Sequence, residues 1–181
     1  MASMASRKIN KLFAKGISHS AHTRALSSVK YIVIHYTGNR GDTARANCNY
    51  FRNGNNSYAG AHFFVDRSGA IWESVKLKYP AWAVGGGWMG SGKLGEGSLY
   101  GKCTNYNSIS IELCDIATKD PAKAQTAAVR WLIRYIRQRC PNAKSVVRHW
   151  DVNGKTCPAR MTGKSTTAGG KRWQNFKKAV L

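Results

Sequence analysis

Tyr31-Ile32-Val33-Ile34-His35-Tyr36-Thr37 is the stretch on which the reading of this chain turns. Its β-branched and aromatic residues predict a buried strand. The imidazole falls at the C-terminal end of that strand, where open sheets place their chemistry. A histidine there raises the question of which other side chains it meets.

The downstream stretch Arg148-His149-Trp150-Asp151-Val152-Asn153-Gly154-Lys155-Thr156-Cys157-Pro158 supplies an answer. It carries an imidazole, a lysine and a thiol within ten residues, and its Asp, Asn, Gly and Pro content predicts a loop. Imidazole and thiolate together suit zinc, and a catalytic zinc site needs three protein ligands with one position left open. His35, His149 and Cys157 make such a set; the alternative is two core histidines and a stray free cysteine.

Between these ends the chain alternates strand and helix signals. Asp42 is expected to cap a helix to about Asn53, with Ala44, Cys48 and Phe51 on one face. Ala61–Asp66 and Ala70–Val75 read as two strands of a hairpin around Arg67-Ser68-Gly69. In Asn107–Cys114, Ile109, Ile111 and Leu113 face one way and Ser110, Glu112 and Cys114 the other. The chain has only 8 acidic residues, so a carboxylate on the polar face of this strand is a candidate site residue. Asp120-Pro121 reads as N-cap and first residue of a helix to about Arg139. Its expected buried stripe is Ala124, Ala128, Trp131, Leu132 and Tyr135, with Arg130, Arg134 and Arg137 on a solvated face. A last helix is expected from about Lys171, burying Trp173, Phe176 and Val180.

The glycine-laden segment from Ala83 to Ser108 is read as one wall of a substrate groove. Within it, Gly87–Lys93 fits G-x-x-x-x-G-K, but Leu94 stands where a phosphate-binding loop needs Ser or Thr, so nucleotide binding is disfavoured.

A length of 181 residues suits one domain with a proper core. Residues 1–29 read as a basic, poorly ordered arm or strap, and 30–181 as the catalytic domain. The net charge of +21, from 29 basic and 8 acidic residues, predicts attraction to polyanions and a strong dependence on salt. The five cysteines (Cys48, Cys103, Cys114, Cys140 and Cys157) are odd in number and lack CxxC spacing. Without a secretory signal, reduced thiols in a cytoplasmic product are expected.

Several motifs in order resemble the zinc N-acetylmuramoyl-L-alanine amidases of the type 2 class, a superfamily that includes phage endolysins and peptidoglycan recognition proteins. They are Ile34-His35-Tyr36-Thr37, Ala61-His62-Phe63, Ala81-Trp82, Asn107–Glu112, Arg148-His149 and Lys155-Thr156-Cys157-Pro158. The resemblance implies a single α/β domain with a central mixed sheet flanked by helices and a zinc-containing groove over the sheet. It also implies zinc on His35, His149 and Cys157, with Glu112 and Lys155 as catalytic residues. The implied substrate is bacterial peptidoglycan, cut between N-acetylmuramic acid and L-alanine.

Two positions depart from relatives. Ala61 stands where some phage members have a tyrosine, and Ala83 where a histidine often follows the tryptophan; Tyr36 and Tyr58 are candidate stand-ins. His62 alternates with apolar neighbours and is read as a support, not a ligand.

The nearest rival is a non-catalytic peptidoglycan-recognition module, which predicts loss of a zinc ligand. A basic nucleic-acid-binding regulator is the other, and no nucleic-acid-binding motif supports it. The remaining expectations are a monomer acting on the wall after release from the producing cell. Its basic surface would engage anionic wall polymers or lipopolysaccharide.

Overall fold

The computed structural model describes residues 7–85 and 97–181. Six strands form one mixed sheet: β1 Ile9–Lys11, β2 Tyr31–Tyr36, β3 Phe63–Val65, β4 Ile71–Glu73, β5 Ser108–Leu113 and β6 Ser145–Arg148. Their order is β1-β4-β3-β5-β2-β6. All neighbours run parallel except the β3–β4 hairpin. Among the described residues four α-helices accompany them: α1 Ala44–Asn53, α2 Lys123–Arg139, α3 His149–Asn153 and α4 Ala168–Val180. None of the described helices is long and apolar enough to cross a membrane.

Alternation along the strands sorts side chains to two faces. Ile32 and Ile34 of β2, Ile109, Ile111 and Leu113 of β5, and Phe63 and Val65 of β3 enter the main core. There they pack with Leu132, Ile133 and Ile136 of α2 and Trp173, Phe176 and Val180 of α4. The opposite face carries Phe64 and Cys114 against Ala44 and Cys48 of α1, and Val33 against Val84, Cys103 and Val152. His35, Ser110 and Glu112 point to this second face, so the apolar alternation that fills the main core also aims the chemistry away from it.

The helix boundaries differ from expectation in instructive ways. Thr43, not Asp42, caps α1, its side chain accepting from the Ala46 amide at 3.2 Å. Asp42 instead accepts from the Asp115 amide at 2.6 Å and from Asn47 Nδ2 at 2.6 Å. The second helix starts at Lys123, not at Asp120-Pro121. The Asp120 carboxylate is drawn off by Arg160 at 3.0 Å and Arg172 at 3.6 Å, and Gln125 Oε1 takes the Ala122 amide at 3.3 Å. The buried stripe of α2 is Gln125, Ala128, Val129, Leu132, Ile133 and Ile136. It is rotated from the expected one, because α2 packs on both the sheet and α4; Ala124 is exposed and Trp131 and Tyr135 only half-buried.

Residues 7–29 are ordered along the domain, not a loose arm. β1 adds a parallel edge strand beside β4, and Leu12 and Ala14 continue it with amides donating to Glu73 and Ser74 carbonyls. His19 bridges to Ala81. Gly60 lets this strap come close, since a Cβ there would meet the Ser18 carbonyl at 2.5 Å. The segment lacks periodicity because its hydrogen bonds go to an edge and to loops, where no face repeats.

Candidate metal centre and cleft

Three parallel strands end side by side at this site. Across β2 and β5, His35 is paired with Glu112, and β6 on the other side of β2 runs directly into His149. His149 opens a one-turn helix, although the sequence predicted a loop. Asp151 accounts for the turn: its carboxylate accepts from the Arg148 amide at 2.7 Å and grips the Arg148 guanidinium at 2.6 Å. Gly154, with φ of 83°, ends the helix in the left-handed conformation. The Trp150 amide then donates to the Cys157 carbonyl at 2.9 Å, folding the chain back so that Cys157 faces the strand ends.

His35, His149 and Cys157 are all buried, and their ligand atoms lie within 4.8 Å of one another. His35 Nδ1 faces Cys157 Sγ at 3.8 Å, and the two imidazoles meet edge to face at 4.6 Å between centroids. Nitrogen and sulfur ligands that share one tetrahedral zinc stand roughly 3.3 to 3.6 Å apart. The observed spacing needs only a small closing movement.

Hydrogen bonding is consistent with that reading. Neither ring nitrogen of the buried His149 makes a well-formed hydrogen bond among the described residues; the Val84 backbone is near enough only to oppose the lowering of its pKa. Buried polar groups left so are costly, and a site built to bind an ion is one of the few physical reasons for it. The residues present therefore fit zinc.

Burial sets the protonation states. It holds His35 well below the ordinary histidine range, with His149 and Lys155 adding to the effect. It lowers His149 to about 4, with Lys155 acting in the same direction. Both imidazoles are thus neutral at pH 7, the form in which an imidazole can bind a metal. The Cys157 thiol is pushed upward by burial and by Glu112, against the Tyr36 backbone and Lys155; a cation is what would favour its thiolate.

Glu112 lies beside the cluster with Oε2 enclosed and unpartnered. Burial raises its carboxyl to about 8, with Lys155 opposing the rise and Asp42 adding to it. Glu112, Lys155, His35, His149 and Cys157 all line one cleft of about 300 Å³, together with Tyr36, Phe51 and Trp82. A second hollow of about 570 Å³ adjoins it through Tyr36, Thr37, Phe51, Glu112 and Lys155, and extends over Asp42, Asn47 and Tyr50 of the α1 region. Of the two candidate stand-in tyrosines, Tyr36 lines both hollows and Tyr58 lines neither.

This arrangement has counterparts in known proteins. The N-acetylmuramoyl-L-alanine amidase family, Amidase_2, matches residues 25–160. The chain belongs to this family. Its curated relatives include the N-acetylmuramoyl-L-alanine amidase XlyB of Bacillus subtilis, 30% identical over 84% of this chain and 42% of its own length. Another is the N-acetylmuramoyl-L-alanine amidase CwlH of the same species, 32% identical over 72% of this chain and 48% of its own length. The chain thus spans less than half the length of these relatives.

Among solved structures, the catalytic domain of XlyA superposes with a TM-score of 0.70 at 25% identity, covering 97% of this chain and all of that one. A mutant endolysin from Bacillus subtilis gives 0.69 at 26% identity, over 96% of this chain and 99% of that one. The single-domain α/β fold with a central mixed sheet is that of the endolysin catalytic domains.

The sequence did not flag several residues that shape this amidase-family site. Ser110 Oγ lies 3.2 Å from His35 Nε2. The Asn105 side chain accepts from the amides of Ala83, Val84 and Gly85, fixing the start of the glycine-rich segment. Arg24 sends its guanidinium to the carbonyls of Leu77 and Asn105. The groove wall expected of residues 83–108 is met in part, by Ala83 beside Trp82. Residues 86–96, including the whole Gly87–Lys93 motif and the neighbouring Leu94, lie outside the described residues.

Proposed function

We propose that residues 30–181, with the strap packed on them, form the catalytic domain of a zinc-dependent peptidoglycan amidase of the endolysin kind. It would cut between the lactyl carbonyl of N-acetylmuramic acid and the nitrogen of L-alanine. The observation that carries this reading is the convergence of two imidazoles and a thiol, with an unpartnered carboxyl and a lysine beside them, in one cleft. Family membership and the names of the relatives support it.

His35, His149 and Cys157 would hold the ion. When bound, zinc supplies Lewis acidity, polarising a carbonyl and making water acidic enough to react near pH 7. Glu112 takes a proton from the attacking water and delivers it to the departing nitrogen, which otherwise leaves poorly as an amide anion. A carboxyl that titrates near neutrality is suited to moving a proton in either direction. The Lys155 ammonium, lining the same cleft, stabilises negative charge developing on the carbonyl oxygen. Phe51 and Trp82 form apolar walls of the cleft.

The deciding experiment treats purified peptidoglycan with zinc-loaded and with chelator-stripped protein, following new amino groups and new reducing ends together. New L-alanine amino termini without reducing ends, and only with metal, are expected. Tight wall binding with no new groups of either kind would make the protein a recognition module instead. Glu112→Gln should retain zinc and lose activity by about 10²- to 10⁴-fold; full activity would refute the proton-transfer role. The basic surface is proposed to hold the domain, acting as a monomer after release, on anionic wall polymers or lipopolysaccharide.

A further inference from the structure

His35 offers a metal only one of its two nitrogens, and the choice is built into the sheet. Its ring is 2% exposed. Nδ1 faces Cys157 and Nε2 faces Ser110 Oγ at 3.2 Å. Ser110 sits on β5, two residues before Glu112 and on the same face, paired in register with Val33 of the neighbouring strand. It is 1% exposed. Its hydroxyl is thus the polar group that receives the far nitrogen of the ring.

Ser110 is in turn held on both backbone groups by one residue. Its carbonyl accepts from the His62 amide at 3.2 Å, and its amide donates to His62 Nδ1 at 3.1 Å. Because Nδ1 accepts, the proton of the neutral His62 ring is on Nε2, which donates to the Tyr79 carbonyl at 3.0 Å. The Arg24 guanidinium lies 3.0 Å from that same nitrogen while anchored on Leu77 and Asn105. Side chains from β5 and from the residue preceding β3 are therefore linked to one face of His35.

We propose that Ser110, fixed in place by His62, is a positioning residue for His35. It accepts the Nε2 proton and so keeps the Nδ1 lone pair turned to the ion held with His149 and Cys157. This rests on the metal-centre reading above. A histidine ligand whose other nitrogen is fixed in this way is oriented and made more basic, and loss of such a partner typically weakens metal binding by about 10- to 100-fold.

The test measures zinc affinity by competition with a chromophoric chelator, for the wild type, Ser110→Ala, Ser110→Thr and His35→Ala. In parallel, the imidazole signals of the zinc-loaded, ¹⁵N-labelled wild type and Ser110→Ala proteins are recorded by NMR. Ser110→Ala should bind zinc about 10- to 100-fold more weakly, and Ser110→Thr, which keeps the hydroxyl, should recover most of it. The His35 proton should be on Nε2 and exchange with water faster in Ser110→Ala.

Ser110→Ala binding within twofold of wild type, or a His35 proton on Nδ1 in the wild type, would overturn the proposal while leaving the metal centre intact. If the wild type does not bind zinc, or His35→Ala binds it equally well, the metal-centre reading falls and the positioning role falls with it. The NMR arm needs no substitution in the wild type, so it decides even if Ser110→Ala folds poorly.

Discussion

Glu112→Gln should change the pH dependence of stability of the metal-free protein, and the size of the change follows from the burial of this one carboxyl. In the folded chain, loss of contact with water pushes its pKa from the ordinary 4.5 up to about 8. An acid raised on folding binds more protons in the native than in the unfolded state throughout that interval, so native stability falls as pH climbs from about 4.5 to about 8. At about 1.4 kcal/mol per pH unit, the loss between pH 5.5 and pH 8 comes to roughly 3 kcal/mol. Glutamine has nearly the same shape and does not titrate. The buried histidines act in the opposite sense, since their lowered pKa values cost stability as pH falls below 6.5, but they are common to both proteins and cancel in the difference. The assay is chemical denaturation of chelator-treated wild type and Glu112→Gln at several pH values from 5.5 to 8. The stability difference should shift in favour of the glutamine variant by about 3 kcal/mol across the range. With zinc bound the shift should shrink, because a cation beside Glu112 favours its carboxylate. Parallel pH profiles for the two metal-free proteins would show that Glu112 is solvated, and would remove the basis for treating it as a group that titrates near neutrality.

Three further outcomes follow from separate parts of the molecule. Lys155→Met should lower kcat by about 10²- to 10³-fold with a smaller effect on KM, because its charge is needed where the carbonyl oxygen gains charge; steady-state kinetics on a soluble muropeptide reads this. Arg148→Ala should destabilise the fold by about 3 to 5 kcal/mol in denaturant titration. It strands the Asp151 carboxylate and the carbonyls of Met161 and Gly163, which Arg148 reaches at 2.6 and 3.1 Å. If the net charge of +21 provides attachment to the wall, lysis of whole walls should fall steeply as salt rises while turnover of a small soluble muropeptide changes little. Equal salt dependence in the two turbidity and product assays would separate attachment from charge.

The sequence carried the parts of this fold in which one side of an element is apolar. Ile109, Ile111 and Leu113 announce their strand by alternation, and the β-branched run Ile32-Val33-Ile34 announces its own because both of its faces are buried. Trp173, Phe176 and Val180 announce α4 by their helical spacing. Where another force decided, the sequence was silent or misleading. Five residues of α3 are too few to show a period, and the Asp151 that caps the helix is also a common turn residue. Asp120-Pro121 has the form of a helix start, but two arginines distant in sequence claim the carboxylate. Ser110 and Arg24 gain their places by meeting His35 and His62 across 75 and 38 residues, a relation no local pattern records.

The five candidate site residues were nonetheless legible, and the sheet explains why. His35 and Glu112 are paired across β2 and β5, so both side chains leave the same face at the same end. That pairing is enforced by the apolar residues between them. A slip of one residue in β5 would carry Glu112 into the main core and take Ile109, Ile111 and Leu113, three large side chains now wholly buried there, out of it. At about 1.5 to 3 kcal/mol for each such side chain, the hydrophobic register outweighs any preference of the polar residues. The geometry of the candidate site is therefore set by apolar residues outside it, which is why strand alternation, together with the scarcity of acids in the chain, singled out the carboxylate.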